Sequence, residues 1–271
     1  MSAAPNLAIF DFHQHMGSLI GIPGGGGANA TVEADVERRL AFMDGAGIAQ
    51  CALMPGHSYS APRGAADIRA MNDDLVAYRR HAPDRFPVIA ATVDPRHGDH
   101  AVAEVERLAG MGVQALSWHN RMQGLPIDHA VMFAIVEKAD KAGMAIMAHC
   151  YANGDFEAAW RLRRLAEAFP DTQFVALDAM TSPENLELIL AIAEVVPNFH
   201  LDMTTTVLGV DGVRRCLDRL GPTRLVFGTN YYSMGVRSTL PELDLVRGAG
   251  PTDEALALVM GGNARRILRL D

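Results

Sequence analysis

Ala8-Ile9-Phe10-Asp11-Phe12-His13-Gln14-His15 is a short apolar stretch that runs straight into two histidines one residue apart. In an extended segment alternate side chains share a face, so the spacing predicts that His13 and His15 reach one metal ion, with Asp11 on the same side. A lone histidine is ordinarily a satisfied or surface residue. A pair closing an apolar strand points instead to metal ligation.

Similar apolar runs recur at Ile48–Met54, Phe86–Val93, Val113–Trp118, Ala145–Ala148, Phe174–Leu177, Phe199–Met203 and Leu225–Gly228, which makes eight candidate strands. Continuous apolarity over four to eight residues is the mark of a parallel strand covered on both faces. Amphipathic segments lie between them, such as Val36, Leu40 and Met43, or Ile68, Met71, Leu75 and Tyr78, each set spaced to face one side of a helix. Ser182-Pro183 reads as an N-cap with proline in the first turn, Asp128 as a cap for the helix through Val136, and Gly112 and Gly143 as left-handed helix ends. The Gly21–Gly27 patch lacks both the GxGxxG spacing and the following helix of a dinucleotide site, and reads as a loop over the mouth. Eight unbroken strand–helix units predict one α/β domain over residues 1–271, a single (β/α)8 TIM barrel with its site at the carboxyl ends of the strands.

His149 closes the fifth candidate strand, across the mouth of such a barrel from the first, and supplies a third imidazole. Three protein ligands with an open position is the pattern of a catalytic ion. The net charge of −8, without a basic run, excludes a nucleic-acid footprint, and no apolar run reaches membrane-spanning length. Cys51, Cys150 and Cys216 are odd in number and widely spaced, so they read as reduced thiols of a cytoplasmic protein.

Beyond Asp11–His15, the chain carries Val93-Asp94-Pro95-Arg96, Leu116-Ser117-Trp118-His119, His149, Phe199-His200-Leu201-Asp202, Phe227-Gly228-Thr229-Asn230-Tyr231 and Gly262-Asn263-Ala264. In these motifs, over nearly its whole length, it resembles the amidohydrolase superfamily. Within that superfamily it is similar to the amidohydrolase-2 group, which includes aminocarboxymuconate semialdehyde decarboxylase, resorcylate decarboxylases and pyrone-dicarboxylate lactonase. The resemblance implies a homodimeric, metal-dependent enzyme of a small-molecule substrate. It also exposes two departures. Where the group has a histidine after strand six this chain has Asp178, and where it has a strand-eight aspartate this chain has Asn230. An asparagine amide does not accept a proton in the working pH range.

Three accounts of those departures stay open. Asp178 takes over as metal ligand or general base while Asn230 orients the substrate; or the site is rewired around two metals, iron or manganese in place of one zinc; or the chain is a weakened subunit, or a non-catalytic one, of a hetero-oligomer. His119 and Arg121 suit a substrate carboxylate, and His57 in Pro55-Gly56-His57-Ser58-Tyr59 is a further substrate-side candidate. Asp94 reads as a turn cap beside Pro95, Cys150 as facing away from the site, and Tyr231 and Tyr232 as mouth or packing residues. The expectation is a zinc-dependent hydrolase of a lactone, amide or thioester bearing a carboxylate, with His13, His15, His149 and Asp178 on the ion and Asp178 and Asn230 in catalysis. Non-oxidative decarboxylation is the alternative.

Overall fold

The computed structural model describes residues 7–16, 31–56, 59, 61, 63–151, 154–204, 208–231 and 240–270. Eight parallel strands form one sheet in sequential order: β1 (Ile9–His15), β2 (Ile48–Met54), β3 (Val88–Ala91), β4 (Ala115–Trp118), β5 (Ala145–His149), β6 (Phe174–Leu177), β7 (Phe199–Asp202) and β8 (Leu225–Val226). Helices alternate with them, and the sheet curls into a (β/α)8 barrel. The seam between β8 and β1 closes through Phe12 N donating to Phe227 O (2.8 Å), His15 N to Tyr231 O (3.2 Å) and a parallel bridge between Gln14 and Tyr231.

Phe10, Phe12, Met54, Met147, Val175, Leu177 and Val226 fill the barrel interior beside the small Ala52, Ala90, Ala115 and Ala145. Large side chains from β1 thus occupy the space that alanines on β2 to β5 leave, which is how a barrel packs without a pore. A second apolar layer joins the outer strand faces to the helices, and Cys150 belongs to it, facing away from the mouth. Cys51, Cys150 and Cys216 are free thiols. Ser182 caps its helix through Asn185 N, and Gly112 and Gly143 have φ of 72° and 70°. Asp94 caps the turn Pro95–His97 by accepting from Arg96 N. Asp128 differs from expectation: His129 caps the helix Ala130–Lys141, while the Asp128 carboxylate is taken by Arg161 and Arg164, both at 2.6 Å. None of the described helices is long and apolar enough to cross a membrane.

β1 departs from ideal alternation, and the departure matters. Asp11 pairs with Cys51 and Gln14 with Leu53, so β1 advances three residues for two on β2. The extra residue of this bulge turns Phe12 and His13 successively inward. Asp11 therefore does not share the side of His13 and His15. Its carboxylate accepts from His13 N (3.1 Å), Gln14 Nε2 (2.7 Å), Thr229 N (3.0 Å) and Thr229 Oγ1 (2.6 Å). Burial raises its pKa to about 6 despite those bonds.

Candidate metal centre

The bulge of β1 and the end of β5 bring His13, His15 and His149 together, all buried, with a ring nitrogen of each within 4.8 Å of the others. Each ring is held through Nδ1. His13 Nδ1 lies 2.6 Å from Asp202 Oδ2 and 3.1 Å from Thr204 Oγ1, His15 Nδ1 2.5 Å from Pro55 O, and His149 Nδ1 2.7 Å from Trp118 O. Carbonyl and carboxylate oxygens only accept, so each Nδ1 carries the proton and each Nε2 turns a lone pair inward. The Nε2 atoms of His13 and His15 stand 2.9 Å apart. Two lone pairs at that distance need a cation or a shared proton between them. The donor set thus fits one divalent ion held by three imidazoles.

The electrostatics agree. Burial, then the imidazoles of His119, His13 and His15, push the His149 pKa well below its usual value, leaving it the neutral ligand that metals require. Burial opposes a proton on His13, but the carboxylates of Asp202, Asp178 and Asp11 together outweigh it and the net pKa is raised. Gly228, just after β8, makes the arrangement possible. A Cβ there would meet Thr204 Oγ1 at 2.6 Å, His13 Cβ at 2.8 Å and Asp202 Oδ2 at 3.1 Å.

Asp178 and Asn230 follow β6 and β8 and meet each other: Asn230 Nδ2 donates to Asp178 Oδ1 at 3.3 Å. Asp178 stands outside the three-histidine group, although its charge reaches His13 and raises that pKa. Both residues adopt the left-handed region, with φ of 55° and 51°, and Tyr59 does so too at 41°. Such conformations cost non-glycine residues about 1–3 kcal/mol each and collect at functional sites. Asn230 Oδ1 is buried without a hydrogen-bond partner among the described residues.

His119, after β4, stacks in parallel on His149 with centroids 4.4 Å apart. Its Nδ1 hydrogen-bonds Oε1 of Glu157, a fully buried carboxylate that also accepts from Arg121 N at 3.0 Å. The Arg121 guanidinium is at the exposed rim, 5.2 Å over the Tyr151 ring. His57, Tyr232 and the Gly21–Gly27 patch lie outside the described residues. The loop that holds His57 instead contributes Pro55 O to His15, and Tyr59, whose ring sits edge-on to His15, His119 and His149. Tyr231 is a packing residue, stacked on Phe42 with centroids 4.3 Å apart.

Four contributors to the site carry no decisive signal in the sequence. Asp202 ends a strand whose motif was legible, but only the fold places it behind His13. Thr204 had no signal beyond its position two residues on. Glu157 sits in Asp155-Phe156-Glu157, a segment indistinguishable from a solvated turn, and nothing in the sequence singles out Tyr59 in the stretch that carries His57.

The chain belongs to the amidohydrolase family, whose model, described as Amidohydrolase, matches residues 10–270. A comparison with curated proteins found no match. Among solved structures, it is similar to 5-carboxyvanillate decarboxylase from Sphingomonas paucimobilis, at 17% identity and TM-score 0.71 over 97% of this chain and 99% of that one. It is likewise similar to 2,6-dihydroxybenzoate decarboxylase from Rhizobium, at 15% and 0.71 over 98% and 99% of the two chains. Dihydroxybenzoic acid decarboxylase from Polaromonas sp. JS666, solved with bound manganese, matches at 15% and 0.71 over 97% of each chain. At these identities the likeness establishes the shared barrel.

Proposed function

We propose that this chain is a metal-dependent hydrolase of a small carbonyl compound, a lactone, amide or thioester that bears a carboxylate. The observation that carries the reading is the anchoring of all three Nδ1 atoms, which turns His13, His15 and His149 toward one point beside the buried Asp178 carboxylate. Held by those imidazoles, a divalent ion, zinc by the all-nitrogen donor set, supplies Lewis-acid polarisation of a substrate oxygen. Asp178 accepts the proton of the attacking water. Asn230, donating to Asp178 Oδ1, fixes that carboxylate and offers Oδ1 to a substrate donor. His119, braced by Glu157, bonds the substrate on the far side of His149, and Arg121 at the rim attracts its carboxylate. In this division of labour both departures from the group pattern have a use. The enzyme works on a small molecule, as a homodimer in the cytoplasm.

Non-oxidative decarboxylation is the second reading, favoured by the names of the three similar structures and by the His119–Glu157 pair, which could deliver a proton to the carbon that loses CO2. One experiment separates the two. Zinc-loaded protein is incubated with a panel of carboxylated lactones, amides, thioesters and hydroxybenzoates while acid release and CO2 are followed. Acid release that disappears in Asp178→Asn supports hydrolysis. CO2 release without hydrolysis overturns it in favour of decarboxylation, and no turnover by metal-replete protein points to the partner-dependent subunit.

A further inference from the structure

Arg39 is a fully buried cation in the helix Val32–Ala46, on a face that also buries Asp35. Its fork is committed in several directions at once. Nε donates to Tyr78 Oη at 3.0 Å, one terminal nitrogen to Gln14 Oε1 at 2.8 Å, and the other to the backbone oxygen of His15 at 2.8 Å, while Asp35 Oδ2 lies 3.7 Å away. The guanidinium also sits 5.0 Å over the ring of Tyr231, which flanks the barrel seam. Tyr78 donates to Asp35 Oδ2 at 2.6 Å, so the anion that balances Arg39 is itself fixed.

Gln14 passes this grip onward. Its amide nitrogen donates to Asp11 Oδ2, and Asp11 in turn accepts from His13 N and from both donors of Thr229 beyond β8. The chain of bonds therefore runs from the helix, through Arg39 and Gln14, to the backbone of both metal-site histidines of β1 and across the seam. It lies on the outer side of the bulge that turns His13 inward. Burying an arginine is costly unless every donor is used, and a hydrophobic residue in its place would serve packing alone at least as well.

We propose that Arg39 is a positioning residue for the metal centre, which holds the β1 bulge in the one register that makes His13 and His15 converge. The proposal rests on the metal-dependent reading given above. Losing a group behind a metal ligand typically lowers affinity roughly 10–100-fold. Zinc affinity is measured by chelator competition on metal-stripped wild type, Arg39→Met, Arg39→Lys, Gln14→Leu and Asn198→Ala, well below each thermal midpoint. Asn198 bonds the backbone oxygens of Ala166, Phe169 and Thr172, away from the histidines, and so controls for lost stability alone.

The expected result is a fall of about 10–100-fold in zinc affinity for folded Arg39→Met, partial recovery in Arg39→Lys, a smaller fall of about 10-fold in Gln14→Leu, and wild-type affinity in Asn198→Ala. If Arg39→Met fails to fold, Gln14→Leu, which leaves Arg39 in place, decides alone. Affinities of Arg39→Met and Gln14→Leu within a few-fold of wild type, or an equal fall in Asn198→Ala, overturn the positioning role while leaving the metal centre standing. Wild type that takes up no zinc instead contradicts the functional reading beneath it.

Discussion

His149 on β5 and His200 on β7 are both buried strand histidines with depressed pKa values, yet they sit in different kinds of region. His200 lies near the amino end of its strand, where Nε2 meets Gln173 Oε1 at 2.9 Å and burial, with Arg224 and Arg266, lowers its pKa to about 3. His149 ends its strand at the mouth, with Nδ1 fixed by Trp118 O and two further imidazoles converging on it. Burial and a shifted pKa are common to both. What marks the mouth is convergence, together with three of the four described left-handed non-glycine residues, Tyr59, Asp178 and Asn230; the fourth, Arg269, ends the last helix. The lower barrel is built for packing, whereas the mouth accepts strain that its supporting bonds must hold.

The largest effect that sharpens this contrast is expected from Asp178→Asn. It should cut turnover of a substrate found in the panel by roughly 10²–10⁴, as for loss of a general base, while zinc affinity stays within a few-fold of wild type. A large loss of zinc as well would make Asp178 a ligand. Next in size, Gly228→Ala forces a methyl against His13, Asp202 and Thr204, and should weaken zinc binding by about 10–100-fold. Wild-type affinity there would mean that the Asp202–His13 contact has slack.

A smaller change is expected from Asn230→Gly. It relieves a left-handed residue but removes the donor to Asp178 and adds unfolded-state entropy, so the unfolding free energy of the metal-free protein should change by no more than about 1 kcal/mol while turnover falls, which urea titration and the same assay would reveal. A loss well beyond that would show that the Asn230–Asp178 bond outweighs the backbone strain. The effect that touches the metal centre least concerns His200. Its folded pKa of about 3 lies below the unfolded value of about 6.5, so the unfolded chain takes up the proton first as pH falls. Its contribution is complete above pH 6.5 and is lost on the way down to pH 3, at on the order of 1 kcal/mol per pH unit. His200→Gln should flatten that part of the stability curve and leave zinc affinity unchanged; an unaltered curve would contradict the assignment.

Much of the barrel was legible because each strand is a buried apolar run, and buried runs carry their own boundaries. β8 is only two residues long, but Phe227 and Gly228 continue its apolar pattern, so it too could be found. The bulge in β1 was not legible, since ideal alternation put Asp11 beside His13 and only pairing with β2 reveals the extra residue. The periodicity of the first helix marked Val36, Leu40 and Met43, whereas the buried face also takes Asp35 and Arg39, charged residues that a hydrophobic pattern assigns to solvent. Glu157 escaped for the same reason. Its partner His119 precedes it by a whole strand–helix unit and its loop has no pattern of its own.

Every role assigned at the mouth depends on the three histidines holding an ion. Elemental analysis of protein purified without added metal, for wild type, His149→Ala and His200→Gln, tests this most directly. Wild type and His200→Gln are expected to carry close to one divalent ion per chain, and His149→Ala to lose it. Metal-free wild type, or full occupancy in His149→Ala, would contradict it.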